Sequence, residues 1–197
     1  MALEAGIRHY ARARHTGATT GQGNWGEVTQ FVTKVPFPNT EEAILTASDC
    51  AASAFFGQVC SITSDGSRVA IASTMIASSG INQAGQVYIY YYNGTSWIEE
   101  AILSASDKAA SDFFGTSIAL SKDGAYIVIG ATGVDIAGSQ GVGKVYTFVR
   151  TGTTWTQESM MIPSDWIPGL LFGSSVALSH DNTRLVVGAR GGAPGLS

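Results

Sequence analysis

Three aspartates stand at one fixed interval. Asp49, Asp107 and Asp165 each follow a serine and are 58 residues apart. Carboxylates at equivalent places could form a ring of ligands. Alternatively each accepts backbone N–H groups in a loop joining two repeats, as short acidic side chains readily do. A second set sits in tight turns: Ser64-Asp65-Gly66, Lys122-Asp123-Gly124 and His180-Asp181-Asn182. Calcium takes about six to eight oxygens, and one aspartate in a turn supplies too few. These read as turn formers, and the longer loop offers Asp135 alone. No metal or other cofactor is expected, with calcium the one candidate considered. Catalysis finds no support either. A Ser-His-Asp triad needs a histidine held beside its nucleophile, but His9 and His15 lie near the start of the chain and His180 in a turn. The pairs Glu41-Glu42 and Glu99-Glu100 recur by repetition, which suits a solvated outer strand better than an acid/base pair. The two cysteines have no companions for a zinc site. Cys60 stands where later copies have Ile118 and Val176 and reads as a small core residue. Cys50 aligns with Lys108 and Trp166 in a variable loop, and a disulfide between the two stays open.

The elements that position these residues follow the same period. Phe56-Gly57, Phe114-Gly115 and Phe172-Gly173 recur every 58 residues, as do Ala72-Ser73, Gly130-Ala131 and Gly188-Ala189. A fixed period of this size marks a repeat architecture. In the second copy, Phe114 to Ser121 alternates as a strand should, and Lys122-Asp123-Gly124 turns the chain. Tyr126 to Gly130 is a β-branched run, Lys144 to Val149 a third strand and Thr154 to Glu158 a fourth. Four short antiparallel strands of this kind make one propeller blade. The expected fold is therefore all-β, with four-stranded antiparallel blades in a 58-residue repeat. The chain divides into an N-terminal arm or linker (1–25, weakly helical over 2–10), a half-blade (26–46), two blades (47–103 and 104–161) and a half-blade (162–197). The first half-blade holds the last two strands of a unit and the last half-blade the first two. Two copies could complete each other to give six blades, or the missing strands could come from a longer chain or another protein, since closure removes exposed sheet edges.

Composition narrows the function. Only 13% of residues are charged against 45% hydrophobic, with 24 glycines and a net charge of −4. A weakly charged surface suits a protein packed against others, and nothing overall resembles a nucleic-acid footprint. No apolar run reaches the roughly 18 residues of a membrane span, and Met1–His15 has no apolar stretch of a secretory signal. Arg8, Arg12 and Arg14, with His9 and His15, could meet an acidic partner or form a solvated or docked arm. Tyr88, Tyr90, Tyr91, Tyr92 and Trp97 could meet a protein or sugar, or pack across strands. Asn93-Gly94-Thr95 matches a glycosylation acceptor and equally a hairpin turn.

The run Phe114-Gly115-Thr116-Ser117-Ile118-Ala119-Leu120-Ser121, followed by Ile129-Gly130-Ala131, by Gly143-Lys144-Val145-Tyr146-Thr147-Phe148 and by Trp155, resembles the FG-GAP repeats of integrin-α-like β-propellers. It is most similar to the variety found in bacterial, algal and viral surface proteins. The likeness covers about residues 26–192 and implies a non-enzymatic module of adhesion, recognition or assembly. Phe56, Phe114 and Phe172 are expected to wedge between blades, with Gly57, Gly115 and Gly173 allowing close approach of backbones. The integrin-type calcium loop, rich in alternating aspartates, is missing here. The expected role is a structural subunit of a virion or cell-surface complex with protein partners, as a homo-oligomer or in a larger assembly. The alternative is a lectin-like or adhesive module using loops around Asn82–Gln86 and Thr132–Gly143. A virion, extracellular or cell-surface location fits either.

Overall fold

The computed structural model describes residues 8–14, 27–33, 43–49 and 54–191. They form β-strands and turns, with no helix among them. Strands β1 (Arg8–Arg14), β2 (Glu27–Thr33) and β3 (Ala43–Leu45) make a three-stranded sheet. A four-stranded sheet follows, in the order β4 (Phe56–Ile62), β5 (Arg68–Ser73), β6 (Gln86–Tyr92), β7 (Trp97–Leu103). The next holds β8 (Phe114–Leu120), β9 (Tyr126–Ala131), β10 (Lys144–Thr151) and β11 (Thr154–Met161). Last come β12 (Phe172–Leu178) and β13 (Leu185–Ala189), paired with each other. All pairs are antiparallel and join neighbours in sequence. These four-stranded meanders are propeller blades.

The second strand of each four-stranded sheet lies deepest. In β9, Ile127, Val128, Ile129 and Ala131 are buried, and in β5 so are Val69, Ala70, Ile71 and Ala72. Continuous burial without alternation arises because each of these two sheets is covered on both faces. Two apolar clusters fill the seams. One joins Ala70, Val87, Ile89 and Leu103 to Phe114, Ile118, Ile127, Tyr146 and Phe148 of the following sheet. The other gathers Leu45, Phe56, Val69, Ile71, Tyr88 and Tyr90.

The turns keep step with the repeat. Asp123 Oδ1 accepts from Ser121 Oγ (2.7 Å) and the Ala125 N–H (3.0 Å), and Asp65 and Asp181 close their turns likewise. Equivalent turns lie side by side: Ser64 N–H donates to the Lys122 carbonyl at 3.1 Å, and Lys122 Nζ lies 2.6 Å from His180 Nε2. Asn93 Oδ1 accepts from the N–H groups of Thr95 (2.9 Å) and Ser96 (2.8 Å), so this side chain is engaged in its own turn.

Three expectations change. The weakly helical reading of residues 2–10 fails where that stretch is described, because Arg8–Arg14 is strand β1. The N-terminal sheet therefore has three strands rather than two: β1 pairs with β2 from Arg8↔Thr33 to Arg14↔Glu27. Sheet pairing with β2 overrides the weak local preference. Finally, Cys60 is exposed, although the equivalent Ile118 is buried. Ile118 faces the preceding sheet's β4 and β5, whereas β4 itself faces β1 and β2. Among the described residues that N-terminal sheet has no strand inside β1, so nothing of this kind covers the thiol. Cys50 lies outside the described residues.

Candidate functional site

Each Phe-Gly pair sits at a bulge opening the innermost strand. Pairing slips between Phe56 and Cys60, between Phe114 and Ser117, and between Phe172 and Ser175. Gly57, Gly115 and Gly173 have φ of 89°, 98° and 86°, in the left-handed region that favours glycine. The bulge turns the phenylalanine into the seam. Phe114 is fully buried, edge-on to Tyr146 at 5.5 Å and to Phe148 at 6.0 Å. Phe56 meets Tyr88 at 5.3 Å and Tyr90 at 6.5 Å in the same way. Phe172 is only half-buried.

The preceding sheet grips the Phe114 and Phe172 bulges by its backbone. The N–H groups of Ser111, Phe113 and Phe114 donate to the carbonyls of Asn82, Gln83 and Ala84, and those of Gly169, Leu171 and Phe172 to Gln140, Gly141 and Val142. The loops considered for a lectin-like site thus dock the next blade with their main chain. Contact is so close that a Cβ on Gly85 would lie 2.2 Å from the Phe114 carbonyl oxygen, as one on Gly143 would from that of Phe172. Ser117 Oγ also donates across the seam to the Gly173 carbonyl at 2.7 Å.

The serine-linked aspartates serve a different group from the expected backbone amides. Asp49 accepts from the Tyr88 hydroxyl. Asp107 accepts from the Tyr146 hydroxyl at 2.9 Å and from Lys144 Nζ at 2.6 Å. Asp49 and Asp107 therefore tie their connectors to the third strand of the blade that follows. The loop amide goes to Asp112 instead, whose Oδ2 accepts from the Ala109 N–H at 2.6 Å. A buried phenol must satisfy its O–H, and a carboxylate at the blade rim accepts it in both blades, with Gln86 Oε1 a second acceptor for Tyr88 at 2.8 Å. Asp107 is pulled below the usual carboxylate range: partial burial opposes its charge, but the bonds from Lys144 and Tyr146 together outweigh that. Burial pushes Asp112 up. Burial, then the bonds to Asp49 and Asp107, push the phenols of Tyr88 and Tyr146 well above their ordinary range. Asp165 is exposed.

The candidate contact residues divide. Tyr88 and Tyr90 are buried and are core residues, which removes them from any contact surface in the folded blade. Tyr92 and Trp97 are half-buried and face each other across β6 and β7 at 5.2 Å, while Tyr91 lies under the Arg68 guanidinium. Arg8, Arg12 and Arg14 fall on β1. The turn aspartates do not converge, and no group of three or more potential metal ligands occurs among the described residues.

One surface feature was missed by sequence reasoning. Ile44, Ile102 and Met160 occupy the same place, 58 residues apart, on the outermost strands β3, β7 and β11. They are 52%, 40% and 54% exposed. The recurrence of Glu-Glu-Ala-Ile-Leu carried the signal, but strand alternation alone does not say which face meets solvent.

Serial antiparallel blades docked by Phe-Gly bulges define a propeller-type repeat protein. The FG-GAP repeat model matches residues 39–90, 97–148 and 155–196, and the chain belongs to that family. Each match begins near an outermost strand and runs into the next sheet, so the family unit straddles a seam. No curated protein matches the chain. The repeats mark it as a protein–protein or ligand-binding module.

Proposed function

We propose that the chain is a non-enzymatic structural subunit that assembles by protein contact within a virion or cell-surface complex. The observation that carries this is the exposed row Ile44, Ile102 and Met160. Single exposed apolar residues are ordinary, but the same exposed place in three successive sheets makes a repeated apolar surface of the kind partners cover. The low charge of the chain suits such packing. An adhesive reading would rest on the Tyr92–Trp97 pair, whose rings could take a flat apolar or sugar face.

Replacing Ile44, Ile102 and Met160 together by Glu tests the assembly reading. The expected variant melts within a few degrees of the parent, as surface changes usually do, and no longer enters the complex that the parent enters in its native host. Undiminished incorporation would refute it. Glycan binding lost on Trp97→Ala while incorporation stays intact would favour the adhesive reading.

A further inference from the structure

We propose that Asn93 is a self-modifying site. Its side-chain amide is lost as ammonia by attack of the Gly94 backbone nitrogen, leaving aspartate or isoaspartate at the tip of the β6–β7 hairpin. This goes beyond the assembly reading above and does not rest on it.

The reaction needs an amide carbon, an unencumbered nitrogen on the next residue, and something to hold the charge that gathers on the amide oxygen. All three meet at Asn93. It is the one asparagine of the chain that precedes a glycine. Asn24, Asn39, Asn82 and Asn182 precede Trp25, Thr40, Gln83 and Thr183, whose side chains crowd the approach. A Cβ on Gly94 would meet nothing within 4 Å. Among the described residues the Gly94 N–H donates to no group, so the nucleophile is not tied down. Asn93 and Gly94 are both exposed, at a hairpin tip where water can carry protons and ammonia away.

The oxygen is held as the reaction requires. Asn93 Oδ1 accepts from the N–H groups of Thr95 at 2.9 Å and Ser96 at 2.8 Å. As Gly94 N adds to Cγ, charge moves onto this oxygen, and two fixed N–H donors are the arrangement that stabilises it. The Asn93 N–H bond to the Ser96 carbonyl, 3.0 Å, keeps the loop closed around them. Among the described residues Asn93 Nδ2 donates to nothing, so the leaving group is free.

The bonds balance without an oxidant or reductant. Gly94 N gives its proton to water and bonds to Cγ. The Cγ–Nδ2 bond then breaks, and ammonia leaves with a further proton taken from water. The cyclic imide that remains is opened by water. Attack at Cγ gives aspartate, and attack at the Asn93 main-chain carbonyl gives isoaspartate. The net change is water in and ammonia out.

Two aspartate–glycine turns could form the same imide, and there the structure withholds both partners. The Gly66 N–H is bonded to the Thr63 carbonyl and the Gly124 N–H to the Ser121 carbonyl, each at 3.0 Å. Burial opposes the charge of Asp65, but bonds from Thr63 and Ser67 outweigh it and hold it below the usual range. Asp123 is held low first by the bond from Ser121. An ionised carboxylate is a poor target for a nucleophile. At Asn182 the next nitrogen is also engaged, since the Thr183 N–H donates to Asp181 Oδ1 at 3.2 Å.

The products differ in consequence. Aspartate keeps an acceptor for Thr95 and Ser96 and adds a negative charge beside the Tyr92–Trp97 pair. Isoaspartate lengthens the main chain within the loop and loosens its closure over that pair. Fresh and aged copies are therefore chemically distinct at this tip.

The full chain, purified from a bacterial host, is held folded in mildly alkaline buffer and digested at intervals. Peptide masses and enzymatic methylation of isoaspartate are the readouts. Conversion should be confined to the Asn93 peptide and should quicken as pH rises, because Gly94 N must lose its proton. In denaturant, isoaspartate should appear at Asp65 and Asp123 as well. Gly94→Ala should slow the folded chain on the order of tenfold, about 1.4 kcal/mol of barrier. A folded chain that keeps Asn93 intact while the denatured chain converts overturns the proposal, since the turn would then protect the amide. Isoaspartate forming at Asp65 or Asp123 of the folded chain as fast as at Asn93 also overturns it. So does a Gly94→Ala chain that converts at the parent's rate.

Discussion

Phe114 and the glycines around it hold the molecule together one seam at a time. A fully buried ring touching two blades leaves a cavity when removed, so Phe114→Ala should cost about 3–5 kcal/mol. Thermal melting would then fall by on the order of 10 °C for a chain of this size, and a variant that melts with the parent would refute the placement. Glycines separate into two kinds. Gly85 has φ of 83° and the Phe114 carbonyl in the way of any side chain, whereas Gly94 has φ of 94° and nothing within 4 Å. Gly94→Ala should cost only backbone strain, about 1–2 kcal/mol. Gly85→Ala adds a clash with main chain that cannot move without opening the seam, so it should be the more destabilising of the two by chemical denaturation. Equal losses would mean that the close approach is relieved elsewhere.

At the scale of the element, the connector before each blade is pinned by its aspartate. Asp65, Asp107, Asp123 and Asp181 all sit below the usual carboxylate range, the last at about 2, held there by bonds from Ser179 and Thr183. A depressed folded pKa contributes stability that is present above the unfolded value, about 3.9. That contribution is lost as pH falls through the folded value. Asp112, pushed up by burial, acts in the opposite sense and favours the fold at low pH. Acid should therefore loosen turns and connectors between about pH 4 and pH 2. Asp107→Asn should lower neutral-pH stability by about 1 kcal/mol, with the gap to the parent narrowing as pH falls from the unfolded value through the lowered folded one. Denaturant midpoints measured across that range would check this. A constant gap would mean that the Asp107 charge contributes nothing.

For the whole molecule, low charge and exposed apolar rows predict association that salt does not weaken. At about 1 M salt the screening length is about 3 Å, and apolar burial is unharmed. The sedimentation coefficient of the assembled form should hold or rise between low and high salt. A fall would show that charged contacts carry the assembly.

Much of the fold was legible because a 58-residue period repeats hydrogen-bonding needs as well as side chains. Phe56, Phe114 and Phe172, the turns around Asp65, Asp123 and Asp181 and the β-branched second strands recur together, and local chemistry suffices to make them strands and turns. The single copy at each end carried no such redundancy. Nothing local in Arg8–Arg14 favours a strand, and only pairing with β2 makes it one. Tyr88 and Tyr90 could be read as contact residues or as packed ones because their types suit either place, and packing of the neighbouring seam decided that they are core. Cys60 went the other way, since burial there depends on a strand that the period implies and that the N-terminal sheet lacks among the described residues. The sequence by itself determined the repeat, its strands and its family, which are set by local pattern. The tertiary structure alone decided which faces are covered, which aspartate serves which tyrosine and which edges stay open, because those depend on contacts between blades.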